Sequence, residues 1–115
     1  MAAGDVVIVG DVLLGESGKR MLWGTVILDG GNPTPVTLTN QLASVEFAIA
    51  NLEGSAATGA DPNQVTSAIT GTTLNVYAWK VTNGGAAGNP TEIASTDNAR
   101  LVNWLAIGPR IARAN

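Results

Sequence analysis

Apolar and polar positions alternate with a period of two along most of this chain, the spacing of a strand rather than a helix. In SVEFAIANLE, Val45, Phe47 and Ile49 share one face, while Glu46, Ala48, Ala50 and Leu52 share the other. In TLNVYAWKV, Leu74, Val76 and Ala78 oppose Asn75, Tyr77, Trp79 and Val81. In RLVNWLAIG, Val102, Trp104 and Ala106 oppose Leu101, Asn103, Leu105 and Ile107. β-Branched residues dominate these segments, and the turn clusters GESGK, DGGNPTP, GSAATGADPN and NGGAAGNP punctuate them. The pattern predicts strands over 5–14, 20–28, 36–39, 44–53, 64–70, 73–82, 91–95 and 100–107. Short strands at such intervals predict an all-β fold, an antiparallel β-sandwich of six to eight strands in a single domain over 1–115.

Two features do not fit a sandwich with one solvated face per sheet. The last two long strands carry bulk on both faces, where cleaner alternation is expected. The stretch GDVVIVGDVLLG goes further, with seven large aliphatic side chains in twelve residues. Gly10 inside this strand pattern predicts a bulge or bend. The segment 1–15 therefore reads as an interface or attachment strand bent at Gly10, one side on its own sandwich and the other offered to a neighbour. Val6, Val7, Ile8, Val9 and Leu13 are its candidate interface residues. If the protomer covers only one face, Val7, Val9 and Leu13 stay in water. About 5–9 kcal/mol of burial is then unused, at roughly 1.5–3 kcal/mol per side chain. That is comparable to the whole net stability of a small domain, about 5–15 kcal/mol.

Composition narrows the function classes. Charged residues are 13%, and the formal net charge is −3. Six scattered basic residues do not make the patch that nucleic-acid binding requires. No apolar run is long enough to span a membrane, and MAAGDVV lacks the build of a secretory signal. The chain contains no cysteine, so there is no disulfide framework, and no Asn-x-Ser/Thr sequon with a non-proline middle residue.

Candidate chemistry is sparse. Histidine and cysteine are both absent, which removes Ser–His–Asp and Cys–His nucleophile systems and the ordinary zinc and iron sites. Glu46 and Glu53, seven apart on one predicted strand, face opposite sides and do not converge. Asp5 and Asp11 flank the predicted bend. GDVVIVG lacks the G-x-G-x-x-G spacing, and GESGKR lacks the Ser or Thr of a phosphate loop. Residues 29–32 and 59–63 hold oxygen-bearing side chains that suit calcium, but Asp and Asn favour turns for local reasons, and turns are expected. The chain is expected to be no enzyme and to need no cofactor or metal. Trp23 and Trp104 are expected in the core or an interface, each indole N–H meeting a buried acceptor. Tyr77 and Trp79 are the candidate exposed aromatics, with Trp79, just before the Asn-Gly-Gly turn, expected to be the most exposed.

The segments ASVEFAIANLEGS, VTSAITGTTLNVYAWK and ARLVNWLAIG resemble, in order and spacing, the H-type lectin fold over residues 36–108. The Thr70-Gly71 step and the closing VNWLAIG, with Val102, Trp104, Ala106 and Gly108, carry the likeness. It implies an H-type-lectin-like sandwich that assembles as a homotrimer with protomers side by side. The sugar-binding residues of that family have no clear counterparts here, Lys80 and Asp97 being the nearest charged residues. The whole chain, including GKRMLWGTVILDGGNPTPVTL, is similar in style and segment order to small virion proteins of tailed bacteriophages. That resemblance implies a trimeric capsid decoration protein on the virion surface, with the major capsid protein or other virion proteins as partners. In that reading the tail GPRIARAN, with Arg110 and Arg113, is an ordinary frayed terminus. The alternative it leaves open is a glycan-binding module or a head or tail fibre component.

Overall fold

The structure is a computed structural model that describes residues 2–53, 62, 64–82 and 91–111. In chain order the strands are β1 (Val6–Leu13), β2 (Lys19–Ile27), β3 (Thr34–Thr37), β4 (Phe47–Leu52), β5 (Gln64–Thr70), β6 (Thr73–Thr82), β7 (Thr91–Ala94) and β8 (Leu101–Pro109). The expected bounds of β5 and β6 coincide with these. The others differ by three residues or fewer. The only helical element among the described residues is a single 3-10 turn at Gly15–Ser17.

All pairings are antiparallel, and they form two sheets. Sheet A has the order β1-β2-β8-β4. Sheet B has the order β3-β6-β5, and β7 also pairs with β6. The register shows why: β3 meets Thr73 to Val76 and β7 meets Trp79 to Thr82, end to end along one edge of β6. Between them the Asn32 side chain accepts the Ala78 N–H at 2.8 Å, standing in for a strand partner. β5 and β6 are joined by Gly71 and Thr72, with Gly71 at φ 59°. A two-residue hairpin wants positive φ at its first central position, which glycine supplies without strain.

One core lies between the sheets. Leu22, Val26, Val102, Trp104 and Ala106 come from sheet A, and Val36, Leu74, Val76 and Ala78 from sheet B. This is a sandwich arrangement, with each strand sending alternate side chains inward. The 38–46 segment closes one end. Leu38 and Val45 donate backbone hydrogen bonds to Thr72 and Gly71 of sheet B, while Ala43 and Glu46 donate to Pro109 and Ile107 of sheet A. Leu38, Leu42 and Val45 are buried there.

One expectation about faces is corrected. Val45 does not share a face with Phe47 and Ile49, because it turns to sheet B before β4 begins. Within β4, Ala48, Ala50 and Leu52 point inward, and Phe47 and Ile49 point outward. Size explains it. Ala50 sits beside Trp104 on the inner face, and the indole fills the space a larger neighbour would need.

Candidate assembly surface

β1 is an edge strand bent where its glycine predicts. Ile8 pairs with Gly24 and Gly10 with Trp23, leaving Val9 as the extra residue of a bulge. A Cβ on Gly10 would fall 1.9 Å from Trp23 Cζ2, so the Trp23 indole lies directly over this position. Only a residue without a side chain admits that packing.

The register sorts β1 into faces. Val6, Ile8, Asp11 and Leu13 lie on the inner side with Val26, Gly24, Leu22 and Arg20. Val7 and Val12 lie on the outer side with Thr25 and Met21. The side expected to rest on its own sandwich does so only in part: on it Val6 and Ile8 are 37% and 38% exposed and Leu13 53%, while Val9 at the bulge is 65% exposed. Sheet B is one strand narrower than sheet A, so β1 overhangs it. Both aliphatic faces of β1 are therefore only partly covered, and one backbone edge has no strand partner among the described residues.

The inner side of β1 is pinned at one point. Arg20 Nε donates to Asp11 Oδ1 at 2.7 Å, its Nη2 donates to Asp11 Oδ2, and its Nη1 donates to the Gln41 carbonyl at 2.9 Å. The hydrogen bonds from Arg20, with its positive charge, hold the Asp11 carboxyl below its ordinary value of 3.8, against a smaller opposing effect of burial. A depressed carboxyl stabilises the fold above its unfolded value and loses that contribution as pH falls through the folded one. Asp11→Asn is accordingly expected to melt slightly below the native chain at pH 6. The gap should close as pH drops below 3.8, which paired thermal melts measure. A gap unchanged at pH 2.5 would remove the pair from the account of how β1 is held.

The outer face of sheet A extends the apolar surface across all four strands. One cross-strand row is Val12, Met21, Ile107 and Phe47. The next is Gly10, Trp23, Leu105 and Ile49. A third, Val7, Thr25, Asn103 and Asn51, is mostly polar. Phe47 is 53% exposed, Ile49 52% and Trp23 37%. Of this surface, sequence reasoning named Val7 as an interface residue and placed Trp23 in the core or an interface. The bulk on both faces of β8 was the available signal for the rest.

The candidate aromatics lie on the outer face of sheet B, at alternate positions of β6. Their rings are stacked, with centroids 6.3 Å apart and planes at 13°. Trp79 is not the most exposed indole: it is half-buried, its Nε1 donating to Thr66 Oγ1 at 2.8 Å, and Trp23 is the more exposed. Trp104 is buried as expected, but its Nε1 has no acceptor among the described residues. β5, leaning on β6, supplies an acceptor for Trp79. The inner face around Trp104 is lined by alanines and aliphatics that supply none.

Asp5, Asp11, Asp29, Glu46 and Asp97 are committed to structural work. Asp29 Oδ1 accepts from Gly31 N and Thr34 Oγ1, a local turn, as expected for this segment. Asp97 Oδ1 accepts from Ala99 N and Arg100 N, and Asp5 Oδ2 accepts from Ala2 N. Glu46 Oε1 meets Lys19 Nζ at 2.5 Å. Among the described residues no group of three or more acidic side chains could hold a metal ion, and no helix is long and apolar enough to cross a membrane. The 59–63 segment and Arg113 lie outside the described residues, apart from Pro62. No family model, curated protein sequence or solved structure matches the chain.

Proposed function

We propose that this chain is a structural virion protein of a tailed bacteriophage, a homotrimeric capsid decoration protein that strengthens the head shell. The observation that carries the proposal is β1: an edge strand, aliphatic on both sides, with neither side fully covered by its own domain. Exposed contiguous apolar surface on a small domain marks an interaction site. A free strand edge offers main-chain hydrogen bonds to an extended neighbour. The protein would then act passively, bridging capsomers and burying area across their seams. Three-fold symmetry closes on itself and suits a local three-fold position on a shell. The H-type-lectin-like likeness of residues 36–108 supports the same trimer. A carbohydrate-binding module or fibre component is the alternative, and the Tyr77–Trp79 pair is what favours it. Cryo-electron microscopy of the source particle tests both. Density for the chain at three-fold positions on the head is the expected result. Density at a fibre tip would transfer the assignment to the alternative, and its absence from the particle would defeat both.

A further inference from the structure

We infer that copies of this chain associate through the outer face of sheet A, with Trp23, Phe47, Ile49, Leu105 and Ile107 at the centre of the contact. The inference rests on the homotrimer reading and names its surface.

Charge favours a second copy as the occupant. Among the described outward positions of sheet A, Lys19 is the only charged residue, and it is paired with Glu46 at 2.5 Å. Copies of a chain with net charge −3 repel one another in general. They repel least across a face whose single charge is already neutralised. The outer face of sheet B is a weaker candidate, since Thr37, Thr66, Thr70, Thr73 and Asn75 make it polar.

Area favours the same conclusion. Four strands at about 4.8 Å spacing are about 19 Å wide, and about eight residues of strand are about 25 Å long. The face therefore covers on the order of 500 Å², or about 1,000 Å² for two, where specific interfaces begin. The width also fits three copies. Packed sheets lie about 10 Å apart, which puts each about 5 Å from a shared axis. Three flat faces at that distance enclose a prism with sides of about 17 Å, close to the width of four strands. The Phe47 and Ile49 side chains of three protomers would fill its interior, and the Thr25–Asn103–Asn51 row would meet its equivalents by amide hydrogen bonds.

The experiment measures mass by light scattering across a dilution series of the full chain, with circular dichroism as the check on folding. The native chain is expected at three times its 11.7 kDa. Phe47→Asp with Ile49→Asp is expected at the single-chain mass, still folded, because both side chains are exposed in the protomer. Phe47→Ala with Ile49→Ala, the milder pair, is expected to raise the midpoint concentration of dissociation at least a hundredfold. Thr37→Asp, on the outer face of sheet B, should leave the mass unchanged. A folded aspartate pair that remains trimeric, or an alanine pair whose dissociation midpoint stays at the native value, overturns the surface while leaving the trimer reading intact. A native chain that is monomeric at about 100 μM overturns the trimer reading itself, and the surface with it.

Discussion

A chain that begins at Gly15, lacking β1, is expected to fold with a near-native circular dichroism spectrum and, under the proposed decoration role, to lose at least a hundredfold in affinity for the capsid shell. The separation of these effects follows from burial. β1 contributes no side chain to the core. Its loss removes one ladder of hydrogen bonds and the Arg20–Asp11 pair, so the thermal midpoint should fall by no more than about 10 °C. Attachment should respond far more strongly. Val7, Val9 and Leu13 are 37%, 65% and 53% exposed, so about half of their burial, about 2–5 kcal/mol, is left for a partner to supply, and about 1.4 kcal/mol is a tenfold change in affinity. Thermal melts and co-sedimentation with undecorated heads measure the two quantities side by side. Undiminished sedimentation of the truncated chain would remove β1 from the attachment mechanism.

Trp104 gives the largest expected effect on stability. It sits inward on β8 between Gly24 of β2 and Ala50 of β4, and is 2% exposed. Its neighbours are small, so nothing can move in to replace the ring. Trp104→Ala should cost about 3–5 kcal/mol, a large share of the about 5–15 kcal/mol that holds such a domain. Trp104→Phe is expected to behave differently. It keeps an aromatic ring and removes an indole N–H that has no acceptor, a group whose burial alone costs about 1–3 kcal/mol. The loss of volume and the relief of the unmet N–H should nearly cancel, leaving the phenylalanine variant within about 1.5 kcal/mol of native. Urea denaturation of the three proteins decides the matter. A phenylalanine variant as weak as the alanine one would mean that the N–H is satisfied and contributes.

The strands were legible in the sequence because period-two alternation is a local signal. Gln64–Thr70 and Thr73–Thr82 are bounded by Thr, Gly and Asn, and the register turns on Gly71. The bulge at Val9 was legible for the same reason, since a glycine in a strand has few other uses. Which face turns inward was not. Phe47 and Ile49 outrank Ala48 and Ala50 in hydrophobicity, and they point to solvent because Trp104, more than fifty residues later, takes the inner space. The candidate surface was half legible. Val6, Val7, Ile8, Val9 and Leu13 stand together in the chain, whereas Met21, Trp23, Phe47, Ile49, Leu105 and Ile107 meet only through strand order. Strand order is set by tertiary pairing and leaves no mark within any one segment. The fate of the Trp104 N–H depends likewise on what three other strands happen to lack.

The pairing of β2 with β8 also governs how the chain comes to be folded. Lys19 lies opposite Pro109 and Ile27 opposite Leu101, so the central pair of sheet A joins the two ends of the sequence. Such non-local contacts put folding in the slow range of small domains, milliseconds to seconds. During synthesis the N-terminal hairpin of β1 and β2 emerges first, with its aliphatic side chains uncovered, and waits for nearly the whole remaining chain. Leu22 and Val26 gain their neighbours Ala106 and Val102 only when the last strand has left the ribosome. For that interval these uncovered aliphatic side chains are an aggregation hazard. Aggregation requires two such chains to meet, so low-level expression is the condition that favours the soluble protein.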